Sequence, residues 1–306
     1  MEGVPRLPML SFEVKRSPKK FDFAGKLQQL IAQKYHEDPD KYMNEIHELE
    51  ALRASAVYAS MDFNGCSTLK RYYCQLHFIK NRFPWSPSDH KLLHFTWQDI
   101  ATGIQVSVPD IDFEIACVLY NIGSLHTQLG AADSRTSSEG MKISCTHFQC
   151  AAWAFEKLLE MQKEKHEGYF RGDLGREMLT FLSIVSLAQA QECILEKSMV
   201  DQRKHTITAK VAAQIVDFYG EALKFLSGTK EDTPVADTVN SSLAKQWKKY
   251  VEFKMGFYQC ITYLYQGLQT EDQQQLGARV AYYKAALDKL GETEKLIKGI
   301  PKQEVK

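Results

Sequence analysis

Apolar residues recur along most of this chain at three- and four-residue intervals, the spacing that gathers side chains on one face of a helix. Ile115, Leu119, Ile122 and His126 follow it through residues 112–131, and a second run, AAWAFEKLLEM, resumes it after a polar break. The same period predicts a helix over 23–35, one capped by Asp38-Pro39 with Met43, Ile46, Leu49, Leu52 and Ala56 on one face, and one over 66–83 stopped by Pro84. Further helices are expected over 111–130, 138–164, 171–199, 204–227, 238–268 and 272–299, with breaks at Gly168, Gly228, Pro234 and the glutamine-rich run 269–275. Period-two alternation appears near the N-terminus, in Leu10, Phe12 and Val14, and in Ile104, Val106 and Val108, where Phe95 and Trp97 precede a Thr102-Gly103 turn. The expected fold is mainly α: an elongated stack of antiparallel helices with a small antiparallel β-sheet that includes Leu10–Val14.

Residues 112–159 resemble a tetratricopeptide-type helical hairpin. Small residues (Gly123, Ala151, Ala152, Ala154) let the helices approach, and Leu119, Tyr120, Trp153, Phe155 and Leu158 are expected to fill the gaps between them. Stacked hairpins make surfaces that hold peptides, so the chain reads as a binding scaffold before it reads as an enzyme. The segment 204–226 carries more apolar residues than one buried face requires. Ala212, Val216, Tyr219 and Leu223 fall on one stripe, and Ile207, Val211, Phe218 and Phe225 on another, roughly 120° away. The second stripe either meets another helix of the stack or stays open as an apolar strip for a partner, rimmed by Lys197, Arg203, Lys204 and Lys210.

Among the 306 residues, 38 basic side chains balance 38 acidic ones, which leaves no global field to attract nucleic acid or acidic lipid. A local basic run, Lys15, Arg16, Lys19 and Lys20, supports peripheral membrane binding as an alternative function. Seven cysteines without CxxC pairs read as reduced, buried thiols of a cytoplasmic protein. The longest uncharged runs, 115–132 and 178–191, are too polar or too short to span a bilayer. No HExxH, phosphate-binding loop or dinucleotide fingerprint occurs, and no cysteine is followed by five residues and an arginine, so neither a metal, a cofactor nor phosphatase chemistry is expected. Cys145 and His147 point away from each other on a helix; Cys74 and His77 share a face but lack an orienting third group.

Four strings, DFEIACVLYNIGSLHTQLGA, EGMKISCTHFQCAAWAFEKL, LAQAQECILEKSMVDQRK and AKVAAQIVDFYGEAL, closely resemble the Bro1 domain, in the branch of that family attached to a His-domain tyrosine phosphatase. The resemblance runs from VPRLPMLSFEVK to RVAYYKAALDKL and treats 1–306 as a single domain that ends before the family's last segment. It implies a curved helical body with a tetratricopeptide-like core, and a non-catalytic adaptor role in sorting cargo to multivesicular bodies by a cytoplasmic protein recruited to endosomes. The implied partner is the C-terminal amphipathic helix of a Snf7-class ESCRT-III subunit, with other endosomal adaptors as further candidates. Carried over residue by residue, the apolar contacts fall on Ile207, Val211 and Ile194, and the groove edge on Lys197, Lys142 and Thr146. Thr146 and Val211 stand where other members carry lysine and leucine, which implies a less basic rim and a slightly smaller pocket. Phe218 and Phe225 are assigned to packing.

Overall fold

The computed structural model describes residues 4–18, 20–83, 93–164, 168–228 and 234–297. Three helices, α1 (Ala24–Leu30), α2 (Met43–Val57) and α3 (Phe63–Arg82), precede a two-stranded antiparallel sheet of β1 (Phe95–Gln98) and β2 (Gln105–Val108). Then come α4 (Ile111–Ala132), α5 (Ser138–Glu164), α6 (Arg176–Val200), α7 (His205–Ser227), the single turn α8 (Val235–Thr238), α9 (Ser241–Asp272) and α10 (Leu276–Ile297). Each long helix packs on the next, α4 on α5, α5 on α6, α6 on α7, α7 on α9 and α9 on α10, as expected of a stack of antiparallel hairpins. The first predicted helix breaks into α1 and one wider turn over Ile31–Tyr35, ended by His36 at φ 54°. The last two residues expected of the final helix, and Pro84, lie outside the described residues.

Burial of α4 is nearly all-round from Ile111 to Thr127, which makes it the axis of the core. Gly123 is required there, because a Cβ at that position would sit 2.8 Å from the Phe155 ring of α5. By length and composition α6 is apolar enough to cross a membrane, contrary to the expectation for 178–191; 78% of that window is buried among its neighbours, as for a core helix.

Leu10–Val14 is not a strand of the sheet. It runs extended across the helical core, and side chains take the place of a neighbouring strand. Phe12 N–H donates to Thr127 Oγ1 (2.9 Å), Lys15 N–H to Asn121 Oδ1 (2.6 Å), Gln128 Nε2 donates to Phe12 C=O (2.9 Å) and Gln189 Nε2 to Leu10 C=O (3.0 Å). Alternation therefore reflects one face packed on helices and one turned outward. The basic run is corrected by the same docking: Lys15 is buried, paired with Asp173 and set over the Tyr120 ring at 5.5 Å. Only Arg16 and Lys20 of the run are exposed among the described residues, and Lys19 lies outside them.

Cys66, Cys117, Cys193 and Cys260 are buried free thiols, but Cys74 is exposed and Cys145 and Cys150 half-buried. His147 turns away from Cys145 to share a proton with His126 (Nδ1 to Nδ1, 2.8 Å). Burial, the neighbouring His147 and the Lys70 charge push the His126 pKa down to about 4, and burial lowers that of His147 as well. A folded state that holds His126 neutral keeps its full stability above the unfolded pKa of about 6.5 and loses it as pH falls toward 4. Between pH 7 and pH 4 the wild type is expected to lose roughly 3 kcal/mol more than His126→Gln, measured as urea midpoints. Equal losses would exclude a buried neutral imidazole.

Candidate binding groove

Three successive helices present open stripes on the same side of the stack. On α5 the exposed residues Lys142, Thr146, Gln149 and Trp153 recur every three or four positions. Helix α6 is buried on nearly all sides, and its single open stripe holds Leu187, Gln191 and Ile194. On α7 the outward positions are Ile207, Lys210 and Gln214, with Val211 half-buried at the seam toward α6. Because α6 and α7 are joined by only the short turn 201–204, Ile194 and Val211 come level on adjacent antiparallel helices.

Two bonds fix the register of α5 against α6. Lys197 Nζ donates to Ser138 Oγ (2.9 Å), and Ser183 Oγ donates to Glu156 Oε1 (3.2 Å). Counting inward from the first pair, one turn along each antiparallel helix, places Lys142 level with Ile194. All six residues carried over by resemblance are thus brought to one continuous face. Ile207 is 46% exposed and Ile194 39%, so two branched apolar side chains stand in water beside each other's helices. Hydration of such surface is unfavourable unless a partner covers it.

The rim is less free than expected. Lys197 is half-exposed and already held by Ser138 and by Asp201 at 3.0 Å, one turn on. Lys142 is exposed and loosely paired with Glu139 at 3.5 Å. Thr146 donates its hydroxyl to the Lys142 carbonyl (2.9 Å), so it offers the groove a methyl group and no charge. Phe218 and Phe225 are half-buried and packed against the main core, as assigned, and Ala212 and Tyr219 of the other stripe are fully buried. Trp153 does not fill a gap between helices: it is 54% exposed, because its helical angle is that of Lys142 and Thr146 rather than that of Phe155. Ile143, 44% exposed beside Lys142, escaped the sequence reading; its position off the buried stripe of α5 was the available signal.

Glu192 supports the groove from beneath. This buried carboxylate accepts from Lys254 Nζ (2.6 Å) and from the hydroxyls of Tyr219 and Tyr258, tying α6 to α7 and α9. Arg135 pairs with Glu196 at 3.0 Å and donates to the Leu7 carbonyl (2.7 Å), which holds the N-terminal arm against the same helix. Nothing in the groove resembles a catalytic centre. His77 is edge-on to Tyr73, its pKa is lowered by burial and by the Lys80 and Lys157 charges, and Cys74 is not hydrogen-bonded to it. Groups of three or more metal-binding side chains are absent among the described residues.

The model of the BRO1-like domain matches residues 9–305. The chain belongs to the Bro1-domain family. It is 43% identical over 301 residues to tyrosine-protein phosphatase non-receptor type 23 of Mus musculus, covering 98% of this chain and 17% of that protein. It is 30% identical over 295 residues to the vacuolar protein-sorting protein bro-1 of Neurospora crassa, covering 96% of this chain and 28% of the relative. The Bro1 structure of ALIX in complex with CHMP4C superposes with a TM-score of 0.84 at 26% identity, over 94% of this chain and 80% of that one. The chain thus spans well under a third of the length of these curated relatives, and what it contains is the helical adaptor domain with no catalytic domain.

Proposed function

We propose that this Bro1 domain acts as an adaptor in endosomal sorting by holding the C-terminal amphipathic helix of a Snf7-class subunit along the α5–α6–α7 face. The reading rests on one observation: Ile194 and Ile207 are open to water on adjoining helices, flanked by Lys142 and Lys197. The similarity to an ALIX Bro1 structure solved with CHMP4C supports this choice of partner. Relatives named for vacuolar sorting support the compartment, with the domain recruited from the cytoplasm to endosomal membranes by the partner it binds. Two or three leucine- or methionine-sized side chains laid on Ile194, Ile207 and Val211 supply on the order of 1.5–3 kcal/mol each before the helix is ordered, which corresponds to micromolar binding. Affinity of that size suits a polymerising partner, since several weak sites add by avidity.

Ile207→Asp is expected to weaken binding of a CHMP4C C-terminal peptide about a hundredfold by isothermal titration, with the helical circular-dichroism signal intact. Ile207 touches little of its own protein, so a folded variant that still binds with wild-type affinity would refute the groove.

A further inference from the structure

We propose that the turn between α2 and α3 is a membrane wedge, whose Tyr58, Met61 and Phe63 side chains enter the interface of an anionic lipid bilayer. Their exposures are 63%, 58% and 79%, and Phe63 is the most exposed large apolar side chain among the described residues. Gathered at the tip of a helical hairpin, they form a convex point that a fluid bilayer closes around, whereas a rigid protein surface would need a matching cavity. The turn is braced to keep that shape. Asp62 Oδ1 accepts from Gly65 N–H (2.8 Å) and from Ser60 Oγ (2.7 Å), and Asp62 N–H donates to the Ser60 carbonyl (2.9 Å). Gly65 is required for this closure, since a Cβ there would sit 1.9 Å from the Ser60 carbonyl oxygen. Met61 and Phe63 are thus held out in water rather than folded back on the body, at a cost that burial in lipid removes.

The charges around the tip select an anionic surface. Between Ala51 and Phe83 the sequence holds Arg53, Lys70, Arg71, Lys80 and Arg82 against a single acid, Asp62. Arg53 and Lys80 are paired with Glu114 and Asp112, Arg82 lies at the far end of α3 over the Tyr35 ring, and the Asp62 charge is offset at the N-terminus of α3. Lys70 and Arg71 remain exposed, with no ion-pair partner among the described residues. They stand two turns behind Phe63, about 10 Å along the axis, which is where lipid phosphates lie once an apolar tip is seated beneath them. Because α3 and α4 are antiparallel, with Lys80 held on Asp112 at one end, the tip lies at the end of the stack where α4 closes and α5 begins. The exposed acids there, Glu139 and Asp201, are paired with Lys142 and Lys197, and half-buried Asp133 accepts from Arg135 N–H (2.7 Å). Ile194 and Ile207 stand near that same end, so a seated tip holds the groove beside the membrane.

The test is sedimentation of the whole chain with vesicles of phosphatidylcholine, alone or mixed with phosphatidylserine. The wild type is expected to pellet with the mixed vesicles and to be released by salt. Met61→Ser combined with Phe63→Ser should lower that partition about tenfold and leave the fold intact, because both side chains touch little of their own protein. Lys70→Glu combined with Arg71→Glu should abolish the preference for the mixed vesicles. Phe63→Trp should keep binding and be quenched by lipids brominated on their acyl chains beyond the quenching of the wild type. Ile207→Asp should pellet like the wild type, since the groove takes no part in the contact. The wedge is overturned if the chain stays in the supernatant with mixed vesicles, if the double serine variant pellets undiminished, or if Phe63→Trp gains no quenching. Loss of pelleting in Ile207→Asp would place the lipid contact in the groove and overturn it as well.

Discussion

Glu192→Ala should cost this domain about 3–5 kcal/mol, seen as a large drop in the urea midpoint followed by circular dichroism. Glu192 and Lys254 are both fully buried, and the carboxylate also accepts from two tyrosine hydroxyls, so its removal strands an ammonium group and two phenols in the core. Burial already lowers the Lys254 pKa against the opposing pull of Glu192, and without the carboxylate it falls further. A lysine whose folded pKa is depressed costs the fold stability while the unfolded chain binds its proton more tightly, and that cost shrinks as pH rises toward its unfolded pKa of about 10.4. The deficit of Glu192→Ala should therefore be smaller at pH 9.5 than at pH 7. Glu192→Leu combined with Lys254→Met is expected to recover only part of the stability, since an apolar pair replaces the charges but leaves the buried Tyr219 and Tyr258 hydroxyls without their acceptor. A single alanine variant with the wild-type midpoint would show that this network contributes little.

Glu114→Ala is expected to be as damaging at the opposite end of the molecule. Its carboxylate accepts from Arg53 Nε and Tyr72 Oη, both at 2.8 Å, and from the Trp97 indole, so one side chain of α4 joins α2, α3 and β1. Arg53 is 1% exposed and stacks over Phe21 at 4.6 Å, leaving its guanidinium no route to water when the acid is removed. The expected loss is again about 3–5 kcal/mol, with a changed near-ultraviolet dichroism from Trp97. Because these elements lie away from α6 and α7, peptide affinity at temperatures where the variant remains folded should stay within about twofold of wild type. A variant that keeps its stability and loses binding would reverse the assignment of Glu114 to scaffolding.

Much of this architecture is legible in the sequence, and the exceptions share a cause. The bounds expected for α5, 138–164, match the structure because a polar break precedes a clean helical period. The pairing of Phe95 and Trp97 with Val108 and Val106 follows from local alternation around a turn. Leu10–Val14 shows the same alternation, yet its hydrogen-bonding partners are Asn121, Thr127, Gln128 and Gln189, more than a hundred residues away and invisible to any local window. Lys15 was misread for the same reason, since its counter-ion is Asp173. Trp153 is a different case: its helical angle shows it to be outward, but the expectation that aromatic residues fill cores outweighed the geometry. Ile207 and Val211 were separable from the buried stripe by angle alone, whereas the choice between a packed and an open second stripe required the family resemblance.

The arm that lies across the helices has a consequence for how the molecule is made. Residues 6–15 are synthesised well before the helices that hold them: Tyr250 must be present to donate to the Pro8 carbonyl (2.6 Å), and Arg135 and Gln189 must be in place to hold Leu7 and Leu10. Closing loops of that length before any helix layer exists gains nothing to offset the lost chain entropy. A stretch made before its docking partners is therefore the last to settle, and until translation has passed α9 the nascent chain carries Phe12 on a loose, sticky segment for chaperones to shield.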